Sequence, residues 1–402
     1  MSELLKIEKL VYGGDGLSRA DGEVVFTPFV LPGETVEVER TGSRKQAQRA
    51  RATKVVESSS ERTAAPCPYF ERCGGCQYQH IDYAAQLRYK RSILAETLRR
   101  VGKIDYSEDL IAVSSAEPYE YRNRVQLHFE KGRVGFREMN SRKLVAIDRC
   151  PISSPKINEA IARVNRMTRD RRWPNFLRSL EIFTDESRVQ WNVLETDQPV
   201  AKHFFEWLAQ EIPGTVLGPL DYAVNEDTFT VSGQAFFQVN RFLLPRLAEL
   251  AIGEVSGENA LDLYAGVGLF SLPMARRFAR VTAVESGRAA AADLKTNARR
   301  ARVPIKVEQT QTDSFLIETS QTPDFVLADP PRSGLERTAI ARLIELKPRA
   351  IALVSCDPAT LGRDLAALSV VYRIDSLRLV DLFPQTFHME TIARLVSRSS
   401  QS

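Results

Sequence analysis

Asn259-Ala-Leu-Asp-Leu-Tyr-Ala-Gly-Val-Gly-Leu-Phe-Ser271 is the stretch from which the chain is best read. An apolar strand ends in Gly266-Val267-Gly268, with a helix expected behind it. Glycine there lets the backbone come close to a ligand, because no Cβ stands in the way. Nineteen residues past Gly266, Glu285 closes a second apolar strand, Val281–Val284. An acid in that place can accept hydrogen bonds from both hydroxyls of a ribose. Strand–helix alternation is regular from Gly233-Gln-Ala-Phe-Phe-Gln-Val-Asn240 onward and predicts a doubly wound parallel sheet.

Two kinds of adenosine cofactor compete for such a loop. The dinucleotide fingerprint wants a third glycine three residues after the second, where this chain has Ser271. Asp262, near the end of the first strand, suits S-adenosylmethionine instead. A second motif, Phe325-Val-Leu-Ala-Asp-Pro-Pro-Arg-Ser-Gly334, puts an acid and a stiff Pro-Pro corner at the carboxyl edge of the sheet, where ligands bind. Amino-methyltransferases carry a similar corner but follow it with an aromatic residue that stacks on the base. Here that residue is Arg332. The two motifs together point to S-adenosylmethionine.

The segment Ile351-Ala-Leu-Val-Ser-Cys-Asp-Pro-Ala-Thr360 reads as a strand, a tight corner and a helix start. A thiol at a helix start feels the positive end of the dipole, which predicts a lowered pKa for Cys356. Near the C terminus, His388 and Glu390 alternate with Phe387 and Met389, so both polar groups can face one side. Suppose the methyl acceptor is carbon 5 of a uracil, a poor nucleophile. A thiolate adding at carbon 6 activates it to attack the sulfonium methyl, after which a base removes the carbon-5 proton and the thiol is eliminated. That chemistry requires one free cysteine and one carboxylate beside the methyl donor. Cys356 and Glu390 are the pair available in this part of the chain.

With 402 residues the chain has room for two or three domains, and 43% hydrophobic with 26% charged residues is the balance of an ordinary soluble protein. No apolar run approaches the ~18 residues of a transmembrane helix. The start, Met1-Ser-Glu-Leu-Leu-Lys6, does not resemble a secretory signal, so a cytoplasmic protein is expected. A net charge of +4 decides little, but basic residues cluster three times. One group is Arg40, Arg44, Lys45, Arg49, Arg51 and Lys54. The others run from Arg88 through Lys90 to Lys103 and from Arg163 to Arg172. Three such groups suggest a phosphate-backbone partner.

Short strands with turns fill the first 57 residues, including the period-two run Glu34–Glu39, and predict a small barrel. This part resembles a TRAM domain, an RNA-binding barrel. Then come Cys67, Cys73 and Cys76, with Gly74-Gly75 allowing a tight fold around an ion or cluster. Three thiolates leave a tetrahedral site one ligand short. Cys150, followed by proline as Cys67 is, is the first candidate for the fourth and His80 the second. Spacing leaves zinc and iron–sulfur both open. His128 and His203 read as structural residues in apolar surroundings.

The motifs Cys-Gly-Gly-Cys-x-x-Gln-His (73–80), Phe-Phe-Gln-Val-Asn (236–240), Asp-Pro-Pro-Arg-x-Gly (329–334), Ser-Cys-Asp-Pro-Ala-Thr-Leu (355–361) and His-Met-Glu-Thr (388–391) occur together. With them the chain resembles, over essentially its whole length, the RNA uracil-5-methyltransferase family, and within it the RumA-type members that act on 23S ribosomal RNA. The resemblance implies an α/β protein in three units. These are a TRAM/OB-like β-barrel at 1–58, a central α+β iron–sulfur domain at 59–232 and a class I, Rossmann-like methyltransferase domain at 233–402. It implies a [4Fe-4S] cluster on Cys67, Cys73, Cys76 and Cys150, and S-adenosylmethionine contacts from Gln238, Tyr264, Glu285 and Asp329. Cys356 would be the nucleophile and Glu390 the proton acceptor. Asp357 stands where asparagine is commoner, and Tyr264-Ala265 where Phe-Cys is commoner. Bacterial transfer-RNA members typically lack both barrel and cysteine cluster, so 23S ribosomal RNA is the expected partner of a monomeric enzyme that engages no membrane. An adenine or guanine N-methyltransferase and a non-catalytic RNA-binding factor are the rival readings.

Overall fold

A computed structural model describes residues 3–44, 47–106 and 110–398, and in it the chain builds three large sheets in chain order. The first has the strand order Glu3–Lys6, Thr35–Arg44, Ala47–Glu57, Glu23–Pro28, Asp15–Ala20, Lys9–Leu10. Its two edge strands are joined by residues 7 and 8 alone, so the sheet curls back on itself. Ile7 N donates to Glu34 O at 2.9 Å and Glu8 N to Leu17 O at 2.8 Å across the seam. The period-two pattern turns Val36 and Val38 inward onto Leu5, Ile7, Val25 and Val30. Leu10 and Leu31 leave that core and pack, with Tyr12, into the core of the largest sheet. In the first basic group Arg40, Arg49 and Arg51 pair with Glu3, Asp15 and Glu39, while Lys45 lies outside the described residues.

The second sheet runs Leu144–Ala146, Arg133–Arg137, Arg124–Glu130, Leu177–Thr184, Val189–Thr196, Thr215–Val216. Helices Pro155–Met167 and Lys202–Glu211 cover it through Ile157, Ile161, Val164, Phe204 and Trp207. A hairpin, Leu220–Val224 with Asp227–Val231, leads into the third sheet.

That sheet has eight strands in the order Ile305–Glu308, Phe278–Val284, Gly257–Leu263, Phe325–Ala328, Ala350–Ser355, Glu390–Ser397, Tyr372–Val380, Ile111–Val113. Glu390–Ser397 alone runs antiparallel to both neighbours. Every residue of Ala350–Ser355 is buried, as in a strand covered on both faces. The edge strand Ile111–Val113 and the helix Tyr83–Thr97 come from well before residue 233, so the earlier segment is built into this layer. Asp82 caps that helix by accepting from Ala84 N and Ala85 N. Gln86, Lys90, Ile93, Leu94 and Thr97 form its buried face. The helix ends in a π-turn at Leu98–Gly102, where a Cβ on Gly102 would lie 2.6 Å from Gly362 O, so this end meets the helix Pro358–Leu368 through bare backbone. Among the described residues no helix is long and apolar enough to cross a membrane.

Candidate active site

Four polar residues gather at one edge of the large sheet because four adjacent strands start or end there. Leu263 pairs with Ala328, Ala328 with Leu353, and Ser355 with Thr391. The next residues outward are Tyr264, Asp329, Cys356 and Glu390. Cys356 and Glu390 thus follow one another across the last rung of an antiparallel pair.

At the glycine corner, Tyr264 turns with φ 62 and Gly266 with φ 55. A Cβ on Gly266 would meet no atom within 4 Å, which leaves open space above the turn for a ligand. Glu285 is held beside it, accepting from Gly266 N at 2.8 Å and Gly287 N at 2.5 Å. Ser271 Oγ donates to the buried Asp262, which explains a serine where the dinucleotide fingerprint has glycine. Burial pushes the Asp262 carboxyl up to about 7. The helix expected behind this loop is only Ser271–Met274, about one turn.

The other end of the cleft is a cluster of carboxyls around a thiol. Gln238 Nε2 lies 3.4 Å from Asp329 Oδ2, and Asn123 Nδ2 fixes the main chain of Gln238 at 3.3 Å. Burial pushes Asp329 up to about 7 against the Gln238 hydrogen bond. Glu390 is 3% exposed, and its Oε1 has no partner among the described residues. Burial and the neighbouring Asp329 push its carboxyl well above the usual range, with Arg332 opposing.

Cys356 does not behave as its place in the sequence predicts. The helix Pro358–Leu368 is capped by Asp357, whose Oδ1 accepts from Ala359 N and Thr360 N, both at 2.9 Å. The dipole's positive end is therefore met by that carboxylate, and Cys356 stands one residue outside the cap. Burial, then Glu390, push the half-buried thiol up to about 11, while Arg332 pulls the other way. His388, its ring 4.1 Å from that of Phe387, is pushed down to about 4 by burial and by Arg332.

Cys67, Cys73, Cys76 and Cys150 all line one cavity of about 680 Å³, together with Arg49, Arg122, His128 and Phe387. All four are free thiols. Burial raises Cys67, Cys73 and Cys76, and the proximity of Cys150 raises each further. Among the described residues no group of three or more His, Cys, Asp or Glu is disposed to hold a single metal ion. His80, the second choice for a fourth ligand, belongs elsewhere. Its ring packs between Phe29 and Phe70 near Arg62 and Glu34. His203 is exposed rather than set in apolar surroundings, and His128 faces the cysteine cavity.

Three residues at or behind the site carry no motif. Tyr12, from the turn between the strands Lys9–Leu10 and Asp15–Ala20, donates its hydroxyl to Cys356 O at 3.2 Å and packs edge-on against Phe387. Lys90, expected on a basic face, is fully buried and bonded to Asp381 Oδ1 at 2.6 Å. Gln86, one turn earlier, is buried beside Gln385. Two polar residues four apart on the stripe of Ile93 and Leu94 were the available signal for the last two.

Comparison with known proteins fits this geometry. A family described as tRNA (Uracil-5-)-methyltransferase matches residues 288–398. An uncharacterized RNA methyltransferase of Aquifex aeolicus is 35% identical, over 97% of each chain. The 23S rRNA (uracil(1939)-C(5))-methyltransferase RlmD of Halomonas elongata is 31% identical over 97% of this chain and 89% of its own. The crystal structure of Pyrococcus abyssi tRNA (uracil-54, C5)-methyltransferase with S-adenosyl-L-homocysteine superposes with a TM-score of 0.78 at 28% identity, covering 98% of this chain and all of that one. Likeness along nearly the whole chain, and a methyl-donor cleft flanked by a thiol and carboxyls, lead to one assignment: the chain belongs to the family of S-adenosylmethionine-dependent RNA uracil-5-methyltransferases.

Proposed function

We propose that this enzyme methylates carbon 5 of a uracil in 23S ribosomal RNA through a covalent adduct on Cys356. The observation carrying the mechanism is the neighbouring of Cys356 and Glu390 at the ends of paired strands, beside Asp329 and Gln238. In this reading the Cys356 thiolate forms a bond to uracil carbon 6, and the ring's electron pair moves onto the carbonyl oxygen as an enolate. Carbon 5 then takes the methyl of S-adenosylmethionine, releasing S-adenosylhomocysteine. Glu390 accepts the carbon-5 proton, the ring double bond re-forms and the thiolate leaves. A carboxylate with a raised pKa is the stronger base once ionised, and a thiolate with a raised pKa the stronger nucleophile. Arg332 favours the ionised form of both. Gln238, Tyr264, Glu285 and Asp329 are the proposed contacts to the methyl donor. Glu285 takes the ribose hydroxyls beside the open turn at Gly266.

The same reading gives Cys67, Cys73, Cys76 and Cys150 a [4Fe-4S] cluster. Zinc would draw its sulfurs to within about 4 Å of one another. All four thiols line one cavity of about 680 Å³, which has room for a larger centre. When bound, the cluster would supply the positive charge that favours the thiolate form of its ligands. The units would be a TRAM-like barrel at 1–58, whose joined edge strands support closure, an iron–sulfur domain at 59–232 that lends the helix Tyr83–Thr97 and the strand Ile111–Val113 to the large sheet, and a methyltransferase domain at 233–402, in a cytoplasmic enzyme.

Mapping 5-methyluridine in ribosomal and transfer RNA, with and without the gene, tests the substrate. Loss at one or more uridines of 23S RNA is expected. Loss confined to transfer RNA overturns the ribosomal assignment, and loss of an N-methylpurine overturns the chemistry.

A further inference from the structure

The loop Asp381–His388 leads directly into Glu390, and distant parts of the chain hold it by its backbone. Four consecutive carbonyl oxygens are each taken. Leu382 O accepts from Asn240 Nδ2 at 3.2 Å, Phe383 O from Lys90 Nζ at 3.0 Å and Pro384 O from the Tyr121 hydroxyl at 3.1 Å. Gln385 O accepts from two main-chain N–H groups, Gln77 at 3.0 Å and Tyr78 at 2.9 Å. Gln385 N donates to Gln86 Oε1 at 2.9 Å, and Gln86 Nε2 lies 3.0 Å from Gln385 Oε1.

Gln385 holds φ 68, a left-handed conformation that a long side chain keeps only where its surroundings impose it. What imposes it is identifiable. Gln77 and Tyr78 directly follow Cys76, and the loop they leave is anchored in turn by Gly74 N to Arg137 O at 3.0 Å. Gln86 and Lys90 project from the buried face of the helix that starts five residues after Tyr78. The local bonds are few: Thr386 Oγ1 to Phe383 O, Thr386 N to Phe383 O and His388 N to Thr386 Oγ1. Between Gln385 and Glu390, Met389 is fully buried, so a displacement at Gln385 has little slack to absorb it before the carboxyl.

We propose that Gln385 is a positioning residue through which the cysteine-bearing segment sets the approach of Glu390 to the reacting base. The inference rests on Glu390 as the acceptor of the carbon-5 proton. It gives the segment around Cys73–Cys76 a part in catalysis although its thiols are separate from Cys356. Loosening Gln385 slows proton removal, the step after methyl transfer, and leaves RNA and methyl-donor binding alone.

Gln86→Met and Gln385→Gly test this in the full-length holoenzyme. Gln385→Gly removes the contact of Oε1 with Gln86 Nε2 and gives the loop a backbone free to leave φ 68, so it loosens the loop and remains a fair test even where Gln86→Met fails to fold. The readouts are kcat, KM for RNA, and the amount of denaturation-resistant RNA–protein adduct at steady state. The expected result is a kcat about tenfold lower or less, KM within about twofold and more adduct than in the wild type. Wild-type kcat and adduct in a folded Gln385→Gly, or a change confined to KM, overturns the proposal. Glu390→Gln is the control. If it accumulates no adduct, the assignment of Glu390 fails first, whatever Gln385 does.

Discussion

Cys76 and Cys356 are both thiols raised by burial, yet their surroundings differ in the charges they present. Around Cys76 stand Cys150, Cys73 and Cys67, each of which raises it further, so a cation placed among them is what would hold it ionised. Around Cys356 stand Glu390 and Asp329 on one side and Arg332 on the other, so one thiolate can form transiently without a metal. The comparison teaches that the proposed ligand thiol and the proposed nucleophile are told apart by their neighbours, not by how readily they ionise alone.

Four measurements sharpen or break that contrast. The largest effect is expected from Cys356→Ala, which should lower turnover by at least about 10³-fold with RNA binding intact. Its mirror is Cys76→Ser, which should lower bound iron and the melting temperature while the folded fraction still forms adduct at Cys356. Equal loss of turnover in both, with iron unchanged in Cys76→Ser, would erase the distinction. Next, alkylation of Cys356, followed by peptide mass spectrometry in protein without substrates, should rise about tenfold per pH unit between pH 7 and 10. The sign follows from a thiol pushed up to about 11, whose reactive form is lost as pH falls. A rate that levels off near neutral pH would restore the helix-dipole reading. The smallest effect belongs to Tyr12→Phe, which removes one hydroxyl from Cys356 O and keeps the ring against Phe387. A bond of about 1 kcal/mol implies about a fivefold fall in kcat, and no change would reduce Tyr12 to packing.

Much of the site was legible because its chemistry is written at strand ends. Tyr264, Asp329 and Cys356 each follow an apolar run, and in a parallel sheet such ends share one edge whatever the loops do. Glu390 needed more, since its strand runs the other way and only the pairing of Ser355 with Thr391 brings it next to Cys356. Lys90 was misplaced for a plain reason. A lysine on a helix is almost always solvated, and a partner in Asp381, 291 residues away, cannot be seen from local pattern.

The sequence by itself determined the strand–helix alternation, the glycine corner with Glu285, the free thiol at a strand-to-helix turn and the second set of cysteines, because each is a local pattern of residue types at fixed spacing. Tertiary structure alone decided that Asp357 takes the helix N terminus that Cys356 was expected to use, that His80 stays apart from the cysteine cavity, and that Gln77, Gln86 and Lys90 reach the loop before Glu390. The physical reason is the same in each case. Hydrogen bonds and charges act over a few ångströms in space, and which groups come that close is set by packing between segments that the sequence keeps far apart.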